Sequence, residues 1–323
     1  MAKIDFDKVP RFSELPAQKG APEGSTWGVF GDDYELGCLN FLTPEAVVAA
    51  ARLVQKGKVF RLDMKVGYGE PTLFGRAIVR HKIIRHAGPD GKVWGHDDML
   101  DNYNTQEGSQ WDGLAHVAHP RHGFYNGVTQ DDIKSGAESR LSIHKWANKF
   151  VGRGTLVDAF KFRNDQGRPV DPLTKTIYSL DDLKGALTAQ KTQLKPGGIL
   201  LVHTGWMQAY LKAPAEQKKE MAPINSLKAC GIEASGAMCE WLWDNRVAAI
   251  GTDCPSVESW PFEKSPLHIW ALPLAGLPLG EQFELAPLAN DCAQDGRYEF
   301  MVVSAPLNVE GGIASPPNAV AIK

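Results

Sequence analysis

The chain has 323 residues, 43% hydrophobic and 23% charged, with a formal net charge of −3. That apolar content is enough for a large core and excludes a disordered or fibrous protein, and the 35 scattered basic residues leave no electrostatic footprint for nucleic acid. Lys218-Lys219 is the one notable basic pair, so the expected partner is a small neutral or anionic molecule.

Residues 1–36 mix Pro, Gly and charge with little periodicity and read as an irregular N-terminal arm placed to cover a partner subunit, with 37–323 as a single domain. Thr43-Pro44-Glu45 announces a helix. Thr43 can cap free N–H groups, Pro44 suits the first helical position, and Val47, Ala50, Ala51 and Val54 repeat at the spacing of a buried face before Gly57 ends it. Val59 to Met64 alternates as a strand. Residues 67–135 are dense in Gly, His, Asp and Asn, with Trp94, Trp111, Phe124 and Tyr125 interspersed, and read as long functional loops threaded through short strands.

From Thr155 the rhythm becomes strand–helix–strand. Thr155 to Phe160 reads as a buried strand, Ser179-Leu180-Asp181-Asp182 opens a helix through Gln190, and Gly198 to Val202 returns as a strand. A helix from about Glu233 to Asp244 then leads into the apolar run Val247 to Ile250. This alternation predicts an α/β architecture. The five cysteines, at 38, 230, 239, 254 and 292, lack C-x-x-C spacing, which disfavours a disulfide framework and a thiolate zinc site and fits a reducing compartment. No apolar run approaches the ~20 residues of a membrane helix, so a soluble, cytoplasmic protein with no membrane partner is expected.

The stretch Gln106-Glu107-Gly108-Ser109-Gln110-Trp111-Asp112-Gly113-Leu114-Ala115-His116 sets a carboxylate and a histidine four apart on a Gly-rich path. Such a path suits side chains that must meet an ion or a substrate, although a plain Asp–His hydrogen bond would satisfy the same pattern. His119 and His122 continue the run. His122, between Arg121 and Gly123, reads as part of an exposed turn, while His119 is a candidate for proton transfer. His81, His86, His96 and His144 have no evident partner and read as structural. Asp253 and Glu258, after an apolar strand, are either functional carboxylates or anchors for the Arg153 guanidinium. Trp111, Phe124, Tyr125 and Trp260 could wall a pocket for a flat ring or fill the core. Dinucleotide, P-loop and G-x-S-x-G patterns do not occur.

The Gln106–His116 stretch resembles the signature H-x-G-T-H-x-D-x-x-x-H of the cyclase family, of kynurenine formamidase and isatin hydrolase type. Gly108, Asp112 and His116 match, Ser109 replaces the threonine, and Gln106 and Gln110 stand where the motif has histidines. Further segments in the family's order are Gly37 to Glu45, Val151-Gly152-Arg153-Gly154, Leu201 to Trp206, Gly251-Thr252-Asp253, Val257-Glu258, His268, Gly280-Glu281, Ala305-Pro306-Leu307 and Ser315-Pro316.

The resemblance implies a swivelling β/β/α fold, a homodimer or homotetramer, and a divalent metal, zinc or manganese, held by Asp112, His116, His268 and Glu281. Gln106 and Gln110 cannot reproduce an imidazole's affinity for a transition metal. One ion only, a softened second site, or loss of the metal are the three alternatives. The implied activity is hydrolysis of a cyclic amide, imide, lactone or aryl formamide by a metal-activated water, with Asp112, His116 and His119 catalytic and Gln106, Gln110, Trp111, Phe124 and Tyr125 binding the substrate. A ring-forming lyase on a polyketide-like substrate and a metal-free binding protein are the other readings.

Overall fold

The computed structural model describes residues 4–67, 71–262 and 266–323. Met1 to Lys3 of the predicted arm, residues 68–70 of the loop region, and Ser265 before His268 lie outside the described residues.

The strands in chain order are β1 (Val59–Arg61), β2 (Arg80–Ala87), β3 (Val93–Asp101), β4 (Gln110–Asp112), β5 (Val151–Asp158), β6 (Ile177–Tyr178), β7 (Ile199–His203), β8 (Gly231–Ile232), β9 (Ala249–Thr252), β10 (Leu279–Glu281), β11 (Glu299–Ser304), β12 (Ala314–Ser315) and β13 (Ala319–Ile322). The α-helices are α1 (Pro44–Ala51), α2 (Ala159–Asp165), α3 (Leu180–Ala189), α4 (Trp206–Lys212), α5 (Ala215–Met221), α6 (Gly236–Asp244), α7 (His268–Trp270) and α8 (Ala286–Asp295). Nine strands form one mixed sheet in the order β1-β13-β11-β5-β7-β9-β10-β4-β12. Its centre, β5-β7-β9-β10, is parallel, and antiparallel pairs flank it on both sides. β7, β9 and β10 are buried along their whole length, as a parallel centre covered by other elements requires.

The helix starts follow the sequence signals. Thr43 accepts from the Ala46 N–H, Ser179 from Asp182 and Ser235 from Met238, at 3.2, 3.1 and 3.2 Å. α1 stops at Ala51, before Gly57, and α6 begins at Gly236, after the capping Ser235. The described part of the arm packs on its own chain: Trp27 Nε1 donates to the Pro273 carbonyl and Trp243 Nε1 to the Pro10 carbonyl, both at 2.9 Å. The loop-rich region contains more regular structure than predicted, because β2 and β3 pair from Arg80–Asp101 to Ala87–Val93 as a long, largely exposed hairpin.

All five cysteines are buried free thiols. No helix of the described residues is long and apolar enough to cross a membrane. Arg153 pairs with Glu299 at 2.5 Å and not with Asp253 or Glu258, because its strand β5 runs beside β11 with Met301 opposite Arg153.

Candidate functional site

The parallel strands end on polar residues: Asp158 on β5, His203 on β7, Asp253 just past β9 and Glu281 on β10. Chain ends of parallel strands are where α/β proteins place their sites. β4 then runs antiparallel to β10 with Gln110 opposite Glu281, Trp111 opposite Gly280 and Asp112 opposite Leu279. Side chains alternate across a sheet, so Gln110, Asp112 and Glu281 share one face and Trp111 takes the other. Gly280 makes room for that indole: a Cβ there would meet Trp111 at 2.6 Å and Phe283 at 2.7 Å.

His268 reaches this face from the start of α7. Its Nδ1 lies 2.9 Å from both carboxylate oxygens of Glu258, and its Nε2 lies 3.1 Å from Glu281 Oε1 and 3.7 Å from Asp112 Oδ2. Asp112, Glu258 and Glu281 are all buried. Burial works against charge on His268, but the Glu258 charge, the bonds to Glu258 and Glu281 and the nearby Asp112 carboxylate hold the imidazole well above its usual pKa. Burial and the nearby Asp112 charge push Glu281 up to about 7, against His268 and Arg76. Asp112 moves the other way. Burial would raise it, but the charges of His116, His268 and Arg76 bring it down to about 2.

Arg76 holds Gln106 through its backbone and turns the side chain of Gln110. The Arg76 Nη1 donates to the Gln106 carbonyl and, at 3.0 Å, to Gln110 Oε1. A guanidinium can only donate, so the Gln110 amide nitrogen faces the carboxylates. It donates to Glu281 Oε2 at 2.8 Å and to Asp112 Oδ1 at 3.1 Å, and Gln106 Nε2 donates to Asp112 Oδ1 at 2.7 Å.

The donor set fits one ion. One ligand atom each from Asp112, His268 and Glu281 lies within 4.8 Å of the others, and Asp112 Oδ2 is buried with no hydrogen-bond partner. A nitrogen and two carboxylate oxygens suit zinc or manganese, and a carboxylate behind the ligating imidazole is the usual means of fixing its tautomer. The family's other histidine positions do not fit a second ion, since both glutamines present N–H groups, not lone pairs, to Asp112.

His116 lies beside this set, its Nε2 3.7 Å from Asp112 Oδ1 and its ring centre 6.5 Å from that of His268. Burial, with the charges of His268 and Arg76, lowers its pKa against the pull of Asp112. His116, His268 and Glu281 open into a cavity of about 210 Å³ whose wall includes Phe74, Arg76, Trp260 and Phe262.

Trp260 is therefore the one sequence-predicted aromatic that the structure brings to the cavity. Trp111 stacks on Phe150 with ring centres 4.4 Å apart and donates to Ser304 Oγ at 3.0 Å, and Tyr125 is buried against Thr26. Phe124 is buried in the same core, because the Phe124 and Tyr125 turn closes on itself and not on the cavity. His119 is not brought to the cluster either. It stacks on His122 at 4.5 Å and accepts from the Arg121 N–H at 3.2 Å.

Arg76, Phe74 and the Glu258–His268 pair went unread in the sequence. Arg76 has no motif around it, and only the alternation of Gln110-Trp111-Asp112 signalled that Trp111 must face away from Asp112.

A family model described as "Putative cyclase" matches residues 62–259. The chain is similar to a solved structure described as a novel cyclase, with 32% identity over 93% of this chain and 99% of that one and a TM-score of 0.82. It is also similar to isatin hydrolase A from Labrenzia aggregata bound to benzyl benzoate, at 15% identity over 82% of this chain and 93% of that one, TM-score 0.55. A predicted metal-dependent hydrolase from Bacillus stearothermophilus is similar at 17% identity over 83% of this chain and 98% of that one, TM-score 0.50. The last two likenesses concern the fold, the swivelling β/β/α arrangement that the family resemblance implied for a chain read as α/β. No curated protein sequence matches the chain.

Proposed function

The chain belongs to the cyclase family and is an enzyme, and on that premise we propose that it is a metal-dependent hydrolase adding water to a carbonyl of a small cyclic amide, imide, lactone or aryl formamide. The observation that carries this reading is the convergence of Asp112, His268 and Glu281 at the floor of an aromatic-walled cavity, with Glu258 fixing the imidazole from behind.

Asp112, His268 and Glu281 would hold one zinc or manganese ion, which when bound polarises the substrate carbonyl and makes a nucleophile of water near neutral pH. Glu258 keeps the His268 Nε2 directed at the two carboxylates. The amides of Gln106 and Gln110 hold Asp112 Oδ1, which leaves Oδ2 as the free lone-pair donor. His116 sits on the cavity wall with its imidazole pKa lowered by burial, placed to take a proton from water and return it to the leaving nitrogen or oxygen. Phe74, Trp260 and Phe262 offer a flat apolar wall to the ring.

A homodimer or homotetramer belongs to the same reading. It is supported by the apolar side chains exposed on the β2–β3 hairpin, Ile83, Ile84, Trp94 and Leu100 among them. Light scattering of the purified protein measures it.

The test of the activity is a panel of cyclic amides, imides, lactones and aryl formamides given to protein of measured metal content. The expected result is a ring-opened product heavier than its cyclic substrate by one water, or the free arylamine with formate from an aryl formamide, formed by metal-replete and not by chelated protein. A metal-replete protein that leaves every member of the panel intact refutes the reading, and a product lighter by one water assigns a dehydrating cyclase instead.

A further inference from the structure

Arg76 enters the cavity just after a tight turn, Leu73–Gly75. Within that turn Phe74 has φ 60°, a left-handed conformation that bulky side chains seldom adopt. The turn is tied down by the Phe74 N–H, which donates to the Ala222 carbonyl at 3.0 Å, and by Thr72 Oγ1, which donates to the Arg76 carbonyl. The strained residue puts its ring under the guanidinium, 5.1 Å from ring centre to guanidinium carbon.

Of the five N–H groups of a guanidinium, those accounted for are on Nη1, and their acceptors are neutral: the Gln106 carbonyl and Gln110 Oε1. Among the described residues no carboxylate oxygen comes within 4.0 Å of the Arg76 nitrogens. The Nε and Nη2 edge, which has the fork geometry that matches a carboxylate, has no protein partner there. Two other half-buried arginines of the fold meet an acid, Arg153 with Glu299 and Arg163 with Asp182, whereas Arg297 bonds the Leu53 carbonyl. Among the described residues, Arg76 is the one arginine that lines the reaction cavity.

Resting on the hydrolase reading of the same site, we infer that Arg76 anchors a carboxylate of the substrate, so that the cavity takes a small planar acid whose ring lies along Phe74, Trp260 and Phe262. The reacting carbonyl then faces Asp112, His268 and Glu281. A single compact negative charge suits the cavity better than a phosphate dianion, because three carboxylates already surround its floor. The Arg76 charge is felt there, helping to lower Asp112 and opposing the rise of Glu281.

The experiment is a binding titration by calorimetry on the metal-replete enzyme with benzoate, its neutral counterpart benzamide, and inorganic phosphate, repeated with Arg76→Met, Arg76→Lys and chelated wild type. The expected result is benzoate binding ~10- to 100-fold more tightly than benzamide, as for one charge-assisted fork, with phosphate not competing. That preference should survive chelation, vanish in Arg76→Met and shrink in Arg76→Lys. Equal binding of benzoate and benzamide to the wild type overturns the inference, whether or not the variants fold. So does a preference that persists in Arg76→Met, and one lost on chelation assigns the anion to the ion. Because no turnover is needed, an Arg76-dependent preference in a protein that hydrolyses nothing keeps the anion site and refutes only the hydrolase reading. A working hydrolase with no preference does the reverse.

Discussion

Replacing Glu258 tests whether His268 is a prepared ligand or only a buried ion-pair partner. Glu258 is 1% exposed, and both of its oxygens lie 2.9 Å from His268 Nδ1. Glu258→Gln keeps the volume and one acceptor for the Nδ1 proton, so the ring stays roughly oriented while the charge that strengthens its basicity is lost. Glu258→Ala removes the acceptor as well and frees the ring to turn. Partners behind a ligating histidine are worth about 10- to 100-fold in metal affinity, so about 10-fold is expected for Gln and about 100-fold for Ala. These factors correspond to about 1.4 and 2.7 kcal/mol. The assay is competition for zinc against a chromophoric chelator, with thermal melting of the metal-free protein to establish that each variant is folded. Folded variants with unchanged zinc affinity would refute the argument and leave the Glu258–His268 pair as scaffolding.

Asp112→Asn should cut turnover by two or more orders of magnitude, because it keeps the shape but removes the charge that offsets the ion; near wild-type turnover and metal content would dismiss the site. The double substitution Gln106→His with Gln110→His replaces two N–H faces by imidazoles and should raise zinc bound per chain, read by elemental analysis, with no rise meaning that these positions lie away from any ion. Gly280→Ala should destabilise the fold by about 1–3 kcal/mol in urea denaturation, since its Cβ collides with Trp111 and Phe283; a loss under about 0.5 kcal/mol would show that β10 shifts freely. Asp63 is raised to about 6, mainly by burial, with the Ala319 N–H and Arg61 opposing. The folded state therefore binds more protons than the unfolded one between about pH 4 and 6, and stability falls as pH rises through that window. Relative to Asp63→Asn, the wild type should lose about 1–2 kcal/mol from pH 4 to pH 7 after allowance for partial exposure, and parallel pH curves would refute the shift.

Local rules carried much of the architecture. Thr43 and Ser179 were open to reading as helix starts because capping depends on a residue and its next three neighbours, whereas the cap at Ser235 was read two residues early, at Glu233. The strand–helix–strand rhythm after Thr155 announced the parallel centre for the same reason, since each buried strand is a short apolar run complete in itself. Asp112 and His116 were visible as a pair four residues apart, and the motif resemblance extended that pair to His268 and Glu281.

What the sequence could not decide was which faces would meet. Glu281 stands beside Gln110 only because β4 pairs with β10 in one register, and a shift of one residue would have put Trp111 into the site and Asp112 into the core. His119 is three residues from His116 and yet outside the cluster, because the chain turns back at Gly123 to pair with His119. Arg76, in contrast, lies some thirty residues before Gln106 and Gln110 and meets both, through a loop path that no periodicity encodes. Residue types and spacings limited the chemistry to a carboxylate–imidazole set, because those are properties of side chains. Whether that set faced an ion, an anion or the core was fixed by long-range strand register and loop closure, which depend on contacts between segments remote in sequence.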